Sequence, residues 1–242
     1  MKYAIIAGGE GSRLAAEGVA EAKPLVSVCG EMLIDRLLRI FADNGAESVV
    51  VAYRKGMDSV AVHLEELCRN GICGKYLPIE AVETCTPSSM HSLLAISDRL
   101  EYSPFCLTTV DTVFNENMFS RYVNILQNAM SNGTADGIMA VTSYIDDEKP
   151  LYVAVDDDMN ITAFSDTDNG CRYVSAGIYG LSPHSICVLR DCAARGESRM
   201  RNFQRALLRN GIRLKAFDIG KAFDIDHTKD IVKAEQILCD RQ

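Results

Sequence analysis

At 242 residues the chain is long enough to bury roughly 70% of its unfolded surface, which suits one domain with a substantial core. Its 48% hydrophobic and 24% charged residues exclude intrinsic disorder. A balance of 33 Asp+Glu against 25 Lys+Arg leaves a net charge of −8, which disfavours a nucleic-acid footprint or an anionic membrane; any anionic ligand needs a few placed cations to overcome that field.

Met1-Lys2-Tyr3 runs straight into the short apolar stretch Ala4–Ala7, too brief for a signal-peptide core, and no stretch approaches the length of a membrane helix. The nine cysteines form no C-x-x-C pair, and Cys68/Cys73 and Cys187/Cys192 lack a histidine pair that would complete a zinc site. Buried thiols in a cytoplasmic protein are the expectation.

In chain order, Tyr3–Ala7 reads as a fully apolar strand. Glu31–Asn44 follows as a helix with Leu33, Leu37 and Phe41 on one stripe, closed by Asn44-Gly45. Ser48–Tyr53 is a valine-rich strand, Asp58–Arg69 a helix, Lys75–Val82 a strand and Ser89–Leu100 a helix. Phe105–Val110 is the next strand, and Asn115–Met130 carries Phe119, Val123, Leu126 and Met130 at helical spacing. Strands alternating with helices imply crossovers and a largely parallel sheet. After Asn132-Gly133 the texture changes to short strands at 138–144, 151–155, 161–164 and 173–181, with Asp156–Asn160 as a hairpin turn. Helices are expected at 183–194 and 200–209, then a strand at 212–219 and a closing helix at 228–239. The expectation is a single three-layer α/β/α, Rossmann-like domain over residues 1–242, its central sheet mostly parallel and its C-terminal half partly antiparallel.

The strongest chemical signal stands at the end of the first strand, in Ala7-Gly8-Gly9-Glu10-Gly11-Ser12-Arg13-Leu14 followed by Lys23-Pro24-Leu25. Closely spaced glycines let backbone N–H groups approach a ligand, which suits phosphates. A P-loop is excluded because no lysine stands at the required offset, and a dinucleotide fingerprint because Leu14 takes its third glycine position. What remains is a glycine loop with Arg13 as a planar fork and Lys23 as a mobile point charge. The plainer alternative is a tight turn with two solvated cations.

Gly8-Gly9-x-Gly11-Ser12-Arg13-Leu14, then Lys23-Pro24-Leu25, resembles the signature of the sugar-1-phosphate nucleotidylyltransferases, whose fold is GT-A-like. Thr109-Val110-Asp111 resembles that family's metal-binding aspartate, Ser175-Ala176-Gly177-Ile178-Tyr179 its sugar-packing strand, and Asp224-Ile225-Asp226-His227-Thr228-Lys229-Asp230 its C-terminal acidic element. The resemblance implies that a sugar 1-phosphate attacks the α-phosphorus of a nucleoside triphosphate and releases pyrophosphate. Asp111 and Asp226 would hold Mg²⁺. Arg13, Lys23 and Asp111 would be catalytic, and Ala7, Gly8, Gly9, Gly11, Ser12, Arg13, Lys23 and Ser89 would bind the nucleotide. Gly177 and Arg195 would meet the acceptor. On the plainer reading Asp111 ends a strand and Asp226 caps the helix at Thr228.

The departures fall on the acceptor side. The family's Glu-Lys-Pro lysine is missing from Ala163-Phe164-Ser165-Asp166-Thr167, so that either Arg172 or Lys149 substitutes or the acceptor differs. His91 takes a glycine position and is expected to be a helix-start packing residue. Two further readings stay open: a cytidylyltransferase for a non-sugar phosphate such as phosphocholine, with Tyr144, Tyr152, Tyr173 and Tyr179 as the walls of an aromatic cage, and a non-catalytic nucleotide-sugar-sensing module. Asp224-x-Asp226-x-Thr228 also matches the opening of a dehalogenase-like phosphatase, but only 14 residues follow Thr228, too few for its partner motifs. The base, the acceptor and the oligomeric state are not legible.

Overall fold

The structure, a computed structural model, describes residues 1–239. The first half alternates β1 (Lys2–Ala7), α1 (Ser12–Ala16), the small ribbon β2 (Ser27–Val28) and β3 (Glu31–Met32), α2 (Leu33–Asp43), β4 (Ser48–Arg54), α3 (Asp58–Asn70), β5 (Ile79–Thr84), α4 (Ser89–Ala95) and β6 (Phe105–Thr109). The second half continues with β7 (Thr112–Val113), α5 (Glu116–Asn132), β8 (Gly137–Thr142), β9 (Tyr152–Val155), β10 (Ile161–Ser165) and β11 (Tyr173–Leu181). It closes with α6 (Ser185–Ala194), α7 (Met200–Arg209), β12 (Leu214–Asp218), β13 (Phe223–Asp224) and α8 (Thr228–Cys239).

Nine strands form one sheet. Its path runs β10-β9-β11-β6-β1-β4-β5, with β8 paired to β11 and β12 to β8. β6, β1, β4 and β5 are mutually parallel, so all four point their C-terminal ends at one edge. β11 runs antiparallel to β6, β8 and β9, which gives the expected partly antiparallel half. Side-chain alternation along β1 builds the three layers. Tyr3 and Ile5 pack with the stripe Leu33, Leu37 and Phe41 of α2 and with Phe119 of α5, whereas Ala4 and Ile6 pack with α4, α6 and α7.

Several elements differ from expectation for local reasons. The strand expected from Lys75 begins at Ile79, because Cys73 and Gly74 both take positive φ in a tight turn and Ile72 and Lys75 exchange backbone hydrogen bonds across it. Glu31 and Met32 leave the second helix to pair with Ser27 and Val28. The helix from Ser89 ends at Ala95 and a 3-10 turn over 97–99 finishes the segment. The cysteines are not uniformly buried: Cys106 and Cys192 are, but Cys68, Cys73, Cys85 and Cys187 are exposed, and Cys29 is disulfide-bonded. Cys187 faces outward because α6 turns Ile186, Val188 and Leu189 to the core.

Candidate active site

The parallel strands deliver their loops to one edge, and the signature residues gather there. Beyond Ala7 the chain passes through the glycines and turns into α1, with Gly11 at φ 61°. A Cβ on Gly11 would stand 3.3 Å from the Lys23 Cβ, so left-handed backbone and close approach both require glycine. Gly8 and Gly9 differ: a Cβ there would meet nothing nearer than 3.8 and 3.9 Å. The fold tolerates a methyl at both positions, and the open backbone faces a cleft of about 370 Å³ that Lys23, Ser89, Ser92, Thr109 and Asp111 also line.

Lys23 is only 5% exposed, and its ammonium stands between two carboxylates, 2.5 Å from Asp111 Oδ2 and 2.8 Å from Asp226 Oδ1. Burial works against its charge, but Asp111 and then Asp226 more than offset that, and its pKa is raised. Arg13 donates to the other Asp226 oxygen at 2.9 Å. Burial raises the Asp226 pKa, and Lys23 and then Arg13 overcome it, so the carboxyl stays below its usual range.

A two-residue ribbon brings the distant aspartates together. β7 follows Asp111 directly and pairs antiparallel with β13, and the Ile225 N–H donates to the Asp111 carbonyl at 3.1 Å. Asp226 therefore emerges beside Asp111. The N-terminal turn of α8 fixes its backbone, since Asp230 Oδ2 accepts from the N–H groups of Asp226 and His227. Helix capping falls to another residue: Glu17, at the end of α1, accepts from Thr228 N at 2.7 Å, Thr228 Oγ1 at 2.8 Å and His227 Nδ1 at 2.6 Å. The Asp226 carboxylate is thereby left to the cations.

Asp224 belongs to the C-terminal acidic element read from the sequence, but no site role was expected of it. It accepts from Thr112 Oγ1 at 2.8 Å on the floor of a second cleft of about 360 Å³, reachable by solvent yet surrounded by protein mass. That surrounding mass, and then the charge of Asp111, push its pKa up to about 7. Arg13, Lys149, Gly177, Arg201 and Asp226 line the same cleft. Gly177 stands at φ 72° where β11 shifts register, and a Cβ there would lie 3.0 Å from Thr112 Oγ1. Asp111 and Asp226 thus stand between two clefts and converge on one cationic point. Asp111 and Asp226 offer hard oxygen donors of the kind a divalent cation such as Mg²⁺ prefers, and they are the residues that would hold one.

Some residues singled out in the sequence stand elsewhere. Arg195 pairs with Glu197 at 3.3 Å and lines neither cleft, and Arg172 lies over the Tyr173 ring. Ala7 is buried at the strand end behind the loop, and Ser12 starts α1 outside both linings. His91 stands at the start of α4, its N–H donating to Ser88 Oγ and its Nδ1 2.9 Å from the same oxygen. Arg201 escaped notice because it lies in no motif; a pair of arginines four apart on a helix was the hint available.

Solved structures share this architecture. An inositol-1-phosphate CTP transferase from T. maritima superposes with a TM-score of 0.78 at 18% identity, over 97% of this chain and 94% of that one. A provisionally assigned glucose-1-phosphate thymidylyltransferase from Bacillus anthracis gives 0.84 at 17%, over 100% and 96%. A UDP-glucose pyrophosphorylase bound to UDP-glucose gives 0.81 at 15%, over the whole of both chains. At such identities the likeness is one of fold. No curated protein matches the chain significantly. The sequence profile of the MobA-like NTP transferase domain, however, matches residues 3–176, from β1 through the glycine loop and Asp111 into strand β11. The chain therefore belongs to the MobA-like NTP transferase domain family, and it is a nucleotidyltransferase.

Proposed function

We propose that the protein is a Mg²⁺-dependent nucleotidylyltransferase that joins a nucleoside triphosphate to a sugar 1-phosphate, giving an NDP-sugar and pyrophosphate. One observation carries the reading: Lys23, Asp111, Asp226 and Arg13 converge where a glycine-lined cleft meets a second cleft floored by Gly177. The first cleft suits the triphosphate, whose oxygens the Gly8 and Gly9 backbone can approach without hindrance. The second suits the acceptor, in line with the inositol 1-phosphate and glucose 1-phosphate named for proteins of the same fold.

In the proposed reaction an acceptor phosphate oxygen forms a bond to the α-phosphorus. The bond from that phosphorus to the bridging oxygen breaks, and its electron pair leaves with pyrophosphate. Lys23 stays protonated and offsets charge growing on the phosphate oxygens, and Arg13 grips the leaving pyrophosphate. Asp111 and Asp226 would hold the metal, which when bound supplies charge neutralisation between the two anions. Both cations are held in place by carboxylates, Arg13 by Asp226 and Lys23 by Asp111 and Asp226.

The phosphocholine alternative asks for an open aromatic cage. Tyr173 and Tyr179 are buried, and the Tyr144 ring carries the ammonium groups of Lys221 and Lys233 at 4.4 and 4.5 Å. That occupancy favours a hydroxylated acceptor. The test is pyrophosphate release with Mg²⁺, nucleoside triphosphates being crossed with glucose 1-phosphate, glucosamine 1-phosphate, myo-inositol 1-phosphate and phosphocholine. Release with one pair, abolished in Asp111→Asn, is expected. Release with phosphocholine alone overturns the sugar assignment, and nucleotide binding without release from any pair favours a sensing module.

A further inference from the structure

Beside Arg13 and Lys149, the acceptor cleft is lined by a further cation that the sequence did not single out. Arg201 stands in the first turn of α7 and lines the cleft with Ser175 and Gly177. Its guanidinium is held from behind, pairing with Asp166 through Nη1 and donating from Nη2 to the Lys149 carbonyl at 3.0 Å. Asp166 lines neither cleft, and its second oxygen takes Arg205 Nη2 at 2.7 Å. Arg205 also donates from Nε to the Phe164 carbonyl, so it belongs to the support and not to the cleft. Helix α7 is itself pinned beside the site, because the buried Gln204 amide donates to Ser175 Oγ at 3.1 Å.

This arrangement inverts the polarity expected of the segment. Where the resemblance expects a lysine, Asp166 presents a carboxylate, and two arginines from the facing helix converge on it. Those arginines hold the Asp166 carboxyl below its usual range, so it stays ionised and keeps Arg201 oriented. A guanidinium has about five N–H donors, and the two bonds named leave most of the remainder for a ligand. The fork geometry matches two oxygens of a phosphoryl group at once. Asp146, Asp147 and Glu148 line the same cleft, and Asp146 is itself paired with Lys233.

We propose that Arg201, oriented by Asp166, anchors the phosphoryl group of the acceptor in place of the lysine that this chain lacks. The assignment rests on the nucleotidylyltransferase reading above. Steady-state kinetics test it with whichever of glucose 1-phosphate, glucosamine 1-phosphate, myo-inositol 1-phosphate or phosphocholine supports turnover. Arg201→Ala is expected to raise the acceptor KM by roughly tenfold or more, with the nucleotide KM and the thermal midpoint nearly unchanged. Arg201→Gln, which retains a donor toward the Lys149 carbonyl, serves if the alanine variant folds poorly. Arg201→Lys should recover only part of the loss, since a point charge cannot reproduce the fork, and Asp166→Asn should give a smaller rise in the same KM. An unchanged acceptor KM in an active, folded Arg201→Gln overturns the anchor and leaves nucleotidyl transfer standing. A wild-type protein that releases no pyrophosphate with any pair overturns both.

Discussion

Lys23 carries the most chemistry per atom in this protein. It is the contact between the glycine loop and two aspartates on other elements, so its replacement has two separable effects. Lys23→Ala leaves Asp111 and Asp226 facing one another; with Asp226 half-exposed, the cost to folding should be about 1–3 kcal/mol, read from urea midpoints. Turnover should fall by roughly a hundredfold or more, as when a preorganised charge is lost, and activity within about threefold of wild type would exclude the role. Gly9 gives the cleaner dissection. A methyl there meets no protein atom within 3.8 Å, so Gly9→Ala should melt with the wild type while nucleotide affinity, measured calorimetrically, drops about tenfold. A fall in melting temperature with affinity intact would mean that the glycine serves the loop and not the ligand.

At the level of elements, the site depends on how α1 is locked to α8. Glu17 receives three hydrogen bonds across that junction, and His227, then the Thr228 N–H and hydroxyl, lower its pKa from 4.5 to about 2. The unfolded chain therefore binds the proton more readily than the folded one. Stability from this group is fully present above the unfolded value and is lost as pH falls from about 4.5 towards 2. The urea midpoint of Glu17→Gln should accordingly lie below wild type at pH 6 and converge with it as the pH drops through that window. A gap that does not change with pH would show that the carboxylate's charge is irrelevant to the lock. The acidic C-terminal element was visible in the sequence as a motif. Its attachment was not, because the β7–β13 ribbon is two residues a side and leaves no periodicity to detect.

Across the whole molecule, the two apolar clusters lie on opposite faces of one sheet and share its strands. Neither face can open without exposing the other, so residues 1–242 are expected to unfold in one cooperative step. With no tryptophan present, far-UV circular dichroism and tyrosine fluorescence should give coincident urea transitions, and two resolved transitions would divide the chain into domains. The net charge of −8 also sets the task of the proposed site, in which Arg13, Lys23 and Arg201 would have to draw anions into a negative surround.

Local rules determined much of this from the sequence alone. The 3.6-residue stripes of α2 and α5, the apolar run of β1 and the glycine loop each follow from nearest neighbours, so the α/β architecture and the glycine-lined cleft were legible. The lining of the second cleft was not. Arg195 matched a motif yet turned to Glu197, whereas Arg201 matched none and reached the cleft because α7 packs against β11 and Asp166 aims its guanidinium. Which cation faces a ligand depends on partners far away in the chain, and those are chosen only when the layers pack.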